Sequence, residues 1–173
     1  SRDVTAISVG RFHACALTSA GGVKCWGANN YGQLGNNSNS ASHVPVDVSN
    51  LSSGVTAIDA GAYHTCARTS TGAMKCWGNN DFGRLGDGTD IDRDEPVTIF
   101  ASGINSISAG WAHTCAATSA GAAKCWGLNT RGQLGLNSIG GDHFSPATVS
   151  GLSADVTSIS AGGFHTCAMV SGI

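Results

Sequence analysis

A histidine and two cysteines recur together three times along the chain, spaced as His-x-Cys with a second cysteine ten residues after the first. Such side chains could bind zinc, act as a nucleophile with its base, or form disulfides. The spacing matches no common structural zinc motif, and a position repeated in every unit is a poor place for a single active site. We therefore predict no metal, no cofactor and no catalytic residue. The sets are His13, Cys15 and Cys25; His64, Cys66 and Cys76; and His113, Cys115 and Cys125.

Short β-strands on either side of tight glycine turns must position these side chains. In the first unit, residues 13–18 lead into the turn at 19–22, and residues 23–26 run back. Glycine supplies the positive φ that such a hairpin turn needs. The two cysteines of each set then lie opposite one another on adjacent antiparallel strands, with Cβ atoms about 4.5–5.5 Å apart.

That separation is close to the one a disulfide requires, so we predict Cys15–Cys25, Cys66–Cys76 and Cys115–Cys125 as disulfides. Disulfides persist in oxidising compartments, and the prediction therefore carries an extracellular, periplasmic or cell-surface location. Buried free thiols in a cytosolic protein are the alternative. A seventh cysteine, Cys167, follows a fourth histidine, His165, and is predicted to be unpaired.

Each repeat of about 50 residues contains four β-type runs. A run that alternates apolar and polar residues comes first, as at 4–8, and the hairpin follows. A run with proline comes last, as at 44–48, and is predicted to be an edge strand because proline lacks a ladder donor. Four strands in a repeat of this length make a β-propeller blade. The sequence thus predicts an all-β chain of four-stranded antiparallel blades.

Two signatures in each unit resemble the regulator of chromosome condensation repeat. The first is Gly-x-x-His-x-Cys-Ala, and the second is Trp-Gly-x-Asn-x-x-Gly-Gln-Leu-Gly at 26–35, repeated with changes at 77–86 and 126–135. The resemblance covers essentially the whole chain and implies a seven-bladed propeller.

The predicted blades are 1–54, 55–103 and 104–155, with the first two strands of a fourth at 156–173. Propellers close with roughly four to eight blades, so three and a half cannot close alone. We expect these residues to belong to a longer propeller or to assemble with other chains.

The composition excludes several classes of partner. The formal net charge is −2, charged residues make up 12% of the chain, and the nine lysines and arginines are scattered. The sequence contains no basic patch of the kind that binds nucleic acid, so such binding is not predicted. No apolar stretch approaches the length of a membrane span. We favour a protein partner, with carbohydrate as a second ligand class.

Polar loops that differ between repeats are the candidate binding sites, because specificity on a repeated frame resides in variable loops. The acidic loop at 87–95 resembles the start of a calcium loop, but Glu95 replaces the glycine and Ala101 the acid that an EF-hand requires. We interpret it as a solvated connecting loop. The candidate residues are Asn36, Asn37, Asp90, Asp92, Asp94, Asp142 and His143.

The aromatic side chains divide into two groups. Three tryptophans recur at a fixed position and are predicted to lie in the core, whereas three other rings are candidates for exposure. Each repeated histidine is expected to bond a backbone carbonyl within its own blade. The tryptophans are Trp26, Trp77 and Trp126, and the exposed candidates are Tyr31, Phe82 and Phe144.

These features favour a non-enzymatic protein-binding or scaffolding propeller, secreted or surface-associated, within a larger extracellular assembly. A secreted enzyme inhibitor or a lectin is the alternative, and aromatic residues clustered on one rim would favour either over a passive scaffold. The resemblance also implies a guanine-nucleotide exchange factor for the GTPase Ran. That role belongs to the nucleus, where the predicted disulfides would not persist, and a fold does not transfer an activity.

Overall fold

The computed structural model describes residues 3–172, and β-strands dominate this range. Its one helical element is a short 3₁₀ turn at Asp81–Gly83. Residues 3–172 include no helix with the length and apolar character of a membrane span. The strands are β1 Val4–Val9, β2 His13–Thr18, β3 Val23–Gly27, β4 Ser42–Asp47, β5 Val55–Ala60, β6 His64–Thr69, β7 Met74–Gly78, β8 Arg93–Phe100, β9 Ile104–Ala109, β10 His113–Thr118, β11 Ala123–Gly127, β12 His143–Thr148, β13 Val156–Ala161 and β14 Thr166–Val170.

Three four-stranded antiparallel sheets and one two-stranded sheet account for these strands, each in simple chain order. The first strands of the blades, β1, β5, β9 and β13, lie beside one another, so they form the inner side of the arc. The proline-bearing strands β4, β8 and β12 each pair on one side only and form the opposite edge, as the prolines predict. The predicted all-β blades of a propeller are therefore confirmed.

Polar side chains tie the inner strands together. The Asp59 carboxylate on β5 accepts hydrogen bonds from Ser8 Oγ at 3.0 Å on one side and from Ser108 Oγ at 3.2 Å on the other. It also accepts one from the Ala109 backbone N–H at 2.8 Å. Side chains at equivalent positions of neighbouring blades thus form a continuous polar belt.

The hydrophobic core consists of layers between and within successive blades rather than one central cluster. The first layer joins Leu34, Val48 and Val55 to Trp77 of blade 2, and the second joins Leu85 and Ile104 to Trp126 of blade 3. The prediction of a core position is confirmed for these two tryptophans, which are fully buried. It is wrong for Trp26, which is only half-buried because its side of blade 1 is not packed against another blade within residues 3–172.

Candidate binding surface and the blade interfaces that support it

Disulfides join the second and third strands of each complete blade. The structure pairs Cys15 with Cys25, Cys66 with Cys76 and Cys115 with Cys125, with Cα atoms 4.1 Å apart in every case. The paired cysteines are directly opposite in register, as the hairpin spacing predicts. Cys167 on β14 is free and exposed.

The repeated histidines connect each blade to the next. His13 Nε2 lies 2.8 Å from Thr65 Oγ1, and His64 Nε2 lies 2.8 Å from Thr114 Oγ1. His113 Nε2 makes the same contact with Thr166 at 3.0 Å. The expected bond to a carbonyl of the same blade is therefore wrong. Each ring instead reaches the threonine hydroxyl of the next blade.

The threonine fixes which histidine nitrogen carries the proton. Thr114 Oγ1 donates its single hydrogen to the Arg84 carbonyl at 2.7 Å, and Thr65 Oγ1 donates to the Gln33 carbonyl at 3.2 Å. A hydroxyl has one proton, so the histidine Nε2 must be the donor to the threonine. The Nδ1 atoms of these buried histidines have no hydrogen-bond partner, which suits an unprotonated nitrogen.

Burial keeps these imidazoles neutral. Burial lowers the pKa of His13 and of His113 from 6.5 to about 4. Burial also lowers the pKa of His64 well below 6.5, and the nearby charge of Arg84 acts in the same direction. A second ring proton would be a buried donor without an acceptor, which is costly.

A tryptophan of the following blade donates a hydrogen bond across each of the first two interfaces. Trp77 Nε1 donates to the Gln33 carbonyl and Trp126 Nε1 donates to the Arg84 carbonyl, both at 3.0 Å. Each of these carbonyls thus accepts from one indole and one threonine. A Cβ on Gly35 would lie 2.6 Å from Trp77 Nε1, so glycine is required where the indole packs.

A buried asparagine holds each long loop between the third and fourth strands. Asn29 Oδ1 accepts from the Leu34 N–H at 2.8 Å, and Asn29 Nδ2 donates to the Ser38 carbonyl at 2.6 Å and to the Ser40 carbonyl at 3.1 Å. Asn80 and Asn129 make the corresponding bonds in blades 2 and 3. The variable loops are therefore fixed at their bases.

The candidate loop residues of blades 1 and 2 meet at the junction of those blades. The Asn37 N–H donates to the Asp94 carbonyl at 2.9 Å, and the Asn36 side chain accepts from Asn29 Nδ2 at 3.2 Å. Asp90 is exposed in the loop that precedes β8, and Asp94 is the second residue of that strand. Part of the predicted binding set therefore stabilises the loops themselves.

Two carboxylates of the acidic loop, those of Asp87 and Asp92, already accept hydrogen bonds from other groups of the protein. Asp92 accepts from the Asn80 N–H at 2.6 Å, and Asp87 forms an ion pair with Arg93 at 2.7 Å. Although burial acts to raise it, hydrogen bonds from Thr89 and Arg93 hold the pKa of Asp87 below its ordinary value. Within residues 3–172, no three His, Cys, Asp or Glu side chains are grouped as metal ligands.

The remaining candidate residues, Asp142 and His143, lie in blade 3. The Asn129 N–H donates to Asp142 at 3.3 Å, and His143 begins β12. These two residues do not meet the candidates of blades 1 and 2 in any hydrogen bond that the structure records.

Exposed aromatic rings gather on the rim that carries the variable loops. We call this edge, where the turns before the histidines meet the β3–β4, β7–β8 and β11–β12 loops, the loop rim. Six of its rings keep between 38% and 56% of their surface exposed. The exposure predicted for Tyr31, Phe82 and Phe144 is confirmed, and Phe12, Trp111 and Phe164 join them.

The rings on the loop rim form two contiguous clusters. In the first, Tyr63 packs against Phe12 and Tyr31 with ring centroids 6.0 and 5.6 Å apart, and the Arg11 guanidinium lies 5.1 Å from the Phe12 centroid. In the second, Trp111 and Phe164 are 5.3 Å apart. No ion pair to Arg11 is formed within residues 3–172.

An open concavity of about 430 Å³ is lined by residues of both clusters. Glycine and alanine make up most of its lining, which also includes Val9, Arg11 and Trp111. The loop rim thus combines a rigid base, exposed rings and a cation at the edge of a depression.

Comparison with known proteins accounts for the repeated architecture. The model of the regulator of chromosome condensation (RCC1) repeat matches residues 20–68, 72–117 and 124–169. A second model with the same description matches residues 4–33, 55–84 and 104–133. The chain belongs to the RCC1-repeat family.

Similar proteins share the RCC1 repeats within longer chains. The probable E3 ubiquitin-protein ligase HERC4 of Homo sapiens is 41% identical over 101 residues, which are 57% of this chain and 10% of that protein. The structure of Prp20p from Saccharomyces cerevisiae aligns with 99% of this chain and 44% of its own, with a TM-score of 0.84 and 21% identity. The ectodomain of the Physcomitrella patens receptor kinase CR4 aligns with 98% of this chain and 39% of its own, with a TM-score of 0.58 and 25% identity.

The RCC1 repeat contains a signal for the rim that sequence reasoning missed. One of the two residues between each repeated glycine and its histidine is aromatic: Phe12, Tyr63, Trp111 and Phe164. The recurrence alone could have placed them together, because the same turn of every repeat falls on the same rim. The histidine–threonine bond had a weaker signal, since Ala14 breaks the threonine pattern in blade 1.

Proposed function

We propose that this RCC1-repeat chain is a non-enzymatic protein-binding scaffold that acts outside the cytosol, with the loop rim as its contact surface. The observation that carries the proposal is the gathering of six exposed aromatic rings on the same rim as the variable loops. Aromatic and arginine side chains are the ones most enriched among residues that dominate protein interfaces.

The rim is suited to binding rather than to catalysis. Its loops are held by Asn29, Asn80 and Asn129, and the guanidinium of Arg11 stacks on Phe12. Rigid aromatic groups lose little conformational entropy when they bind, which favours a preformed contact surface. The histidines that follow the rim turns, His13, His64 and His113, are buried and neutral, and Nε2 of each is already bonded to a threonine.

The disulfides support an extracellular, periplasmic or cell-surface location. Such bonds persist in oxidising compartments and are rare in the cytosol and nucleus. The similarity to the CR4 ectodomain, which belongs to a receptor kinase, points in the same direction. A nuclear exchange factor would need the six paired cysteines as thiols, so we do not favour that role.

A lectin is the second candidate, because exposed tyrosine and tryptophan rings also stack on sugars and carbohydrate was the second predicted ligand class. An enzyme inhibitor would be one kind of protein-binding scaffold and would use the same rim.

The test compares the chain with an Arg11→Ala/Phe12→Ala variant and with a Ser52→Ala/Ser53→Ala control on the opposite rim. Each is used to capture proteins from an extract of its source and is applied to a glycan array. We expect a protein retained by the wild type and the control but lost by the rim variant, and an array without signal. Rim-dependent glycan binding would establish the lectin instead, and equal capture by both variants would exclude the loop rim.

The compartment is tested separately by peptide mapping of protein isolated from its source without reductant. We expect the three disulfides. Free thiols at these six cysteines would contradict the location while leaving the binding proposal open to its own test.

A further inference from the structure

The turn that opens the long loop of blade 2 differs from its counterparts in blades 1 and 3. Its sequence is Asn-Asp-Phe-Gly-Arg at 80–84, and Arg84 stands where the other two turns have glutamine, Gln33 and Gln133. All three side chains are buried. The same repeat position thus holds a buried cation in one blade and a buried neutral amide in the other two.

The two glutamines hold the backbone of their turns as hydrogen-bond acceptors. Gln33 Oε1 accepts from the Tyr31 N–H at 2.9 Å, and Gln133 Oε1 accepts from the Arg131 N–H at 2.8 Å. In both turns, the N–H of the residue two positions before the glutamine therefore points towards the buried side chain.

The corresponding peptide unit is reversed in blade 2, because arginine has no acceptor atom. Arg84 Nε donates to the Asp81 carbonyl at 3.0 Å, so this carbonyl points inward instead of the Phe82 N–H. Reversing a peptide unit changes the φ of the residue that follows it. Phe82 accordingly has a φ of 64°, whereas φ is not positive at Tyr31 or Arg131.

This arrangement carries two local costs. A bulky side chain in the left-handed region is unfavourable, and a buried guanidinium loses its hydration. Burial lowers the pKa of Arg84 from its ordinary value, although the carboxylates of Asp81 and Asp92 act to raise it. The ion pair between Arg84 Nη2 and the Asp81 carboxylate spans 3.9 Å. Glutamine at this position avoids both costs in the other two blades.

The reversed turn presents an aromatic ring on the loop rim. The Phe82 ring lies against the guanidinium, with Arg84 Cζ 5.6 Å from its centroid, and keeps 38% of its surface exposed. Nη1 of the same guanidinium contacts the Trp111 carbonyl of blade 3 at 3.5 Å. Arg84 therefore contacts the turns that carry two exposed rings, on either side of the junction between two complete blades.

We infer that Arg84 is a positioning residue of the loop rim, which fixes Phe82 and the turn of Trp111 as one contact unit for a protein partner. The inference rests on the proposed binding function of the rim. Strained backbone that the surrounding structure maintains is typical of functional sites, and rigid rings bind at a low entropic cost. The turn of blade 2 thus gives a repeated frame a local feature that blades 1 and 3 lack.

The first test replaces the donor with the acceptor of the other blades. Arg84→Gln installs the residue that blades 1 and 3 carry, so the fold should persist. The Phe82 N–H should then turn inward, and the φ of Phe82 should become negative. NMR measures this change through the NOE between the amide and α protons of Phe82, which is strong at positive φ. A Phe82 that keeps its positive φ in the variant would overturn the inference.

The second test measures binding to peptides from a random phage-displayed library. The peptides are selected on the unmodified chain and kept only if they fail to bind the Arg11→Ala/Phe12→Ala variant. Arg84→Gln should weaken their binding about tenfold, the loss expected at an important interface residue. Phe82→Gly should also weaken it, because glycine accepts the left-handed backbone but lacks the ring. Lys75→Gln, which removes the same charge in the middle of β7, is the control and should bind like the unmodified chain.

The outcomes distinguish this inference from the proposed function. Rim-dependent peptides that bind Arg84→Gln as tightly as the unmodified chain would overturn the role of Arg84 and leave the rim as a contact surface. Equal losses in Arg84→Gln and Lys75→Gln would reduce the effect to net charge and would also overturn that role. A library without any rim-dependent peptide would contradict the loop rim itself, and with it the inference.

Discussion

His64 and His165 occupy the same pattern, Gly-x-x-His-Thr-Cys-Ala, at 61–67 and 162–168. His64 is fully buried and bonded to Thr114 of the next blade, whereas His165, just before β14, is exposed because no further blade packs against it within residues 3–172. Trp126 and Trp26 differ in the same way at the other face of a blade. The comparison teaches that the same repeat residue becomes buried and hydrogen-bonded only where a neighbouring blade packs against it.

The comparison between the two tryptophans gives the largest expected effect. Trp126→Ala should lower the free energy of unfolding by about 3–5 kcal/mol, because it removes a fully buried indole and leaves a cavity. Trp26→Ala should cost much less, because this side chain is half-buried. Urea denaturation of both variants measures the difference, and equal losses would show that the interblade layer does not control stability.

The cysteines provide the next contrast. Replacing Cys66 and Cys76 together with alanine should lower the free energy of unfolding by roughly 2–3 kcal/mol, since their disulfide closes a short loop. Cys167→Ser, at an exposed free cysteine, should change it by less than about 0.5 kcal/mol. The two variants are compared by urea denaturation without reductant. A loss at Cys167 as large as that at the pair would contradict this assignment.

The disulfides could be predicted from sequence because they are local: ten residues and one symmetric turn place Cys66 opposite Cys76. The histidine–threonine bonds could not, because each joins residues about 50 positions apart in different sheets. Reading His64 within its own blade led to the wrong partner. The loop candidates rest on polarity and on variation between the repeats, and neither property shows that Asn36 and Asp92 hold the loops.

A smaller effect is expected at the Arg84 carbonyl, which accepts hydrogen bonds from both Thr114 and Trp126. Thr114→Val keeps the shape of the side chain but removes the hydroxyl between His64 and the Arg84 carbonyl. The free energy of unfolding should fall by about 1–2 kcal/mol, because a buried donor loses its acceptor. Thr56→Val, at an exposed threonine of blade 2 whose hydroxyl bonds the Arg68 carbonyl, is the control and should stay near the wild type. An unchanged free energy of unfolding in Thr114→Val would show that this hydroxyl does not stabilise the interface.

Acid should weaken the blade interfaces without any mutation. Folding lowers the pKa of His13 and His113 from 6.5 to about 4, so the unfolded chain binds more protons in that range. The free energy of unfolding should therefore be largest above pH 6.5 and decrease as the pH falls towards 4, by up to about 1.4 kcal/mol per pH unit for each such histidine. Denaturation series between pH 7 and pH 4 measure the slope, and a flat profile would contradict it.

The most direct test of the interblade assignment is the protonation state of the histidine rings, read by ¹⁵N-correlated NMR at pH 7 and during titration. The structure predicts that His13, His64 and His113 are neutral with the proton on Nε2, and that His13 and His113 take up a second proton only near pH 4. Rings protonated on Nδ1, or titrating near pH 6.5, would show that the histidines do not donate to the threonines of the next blade.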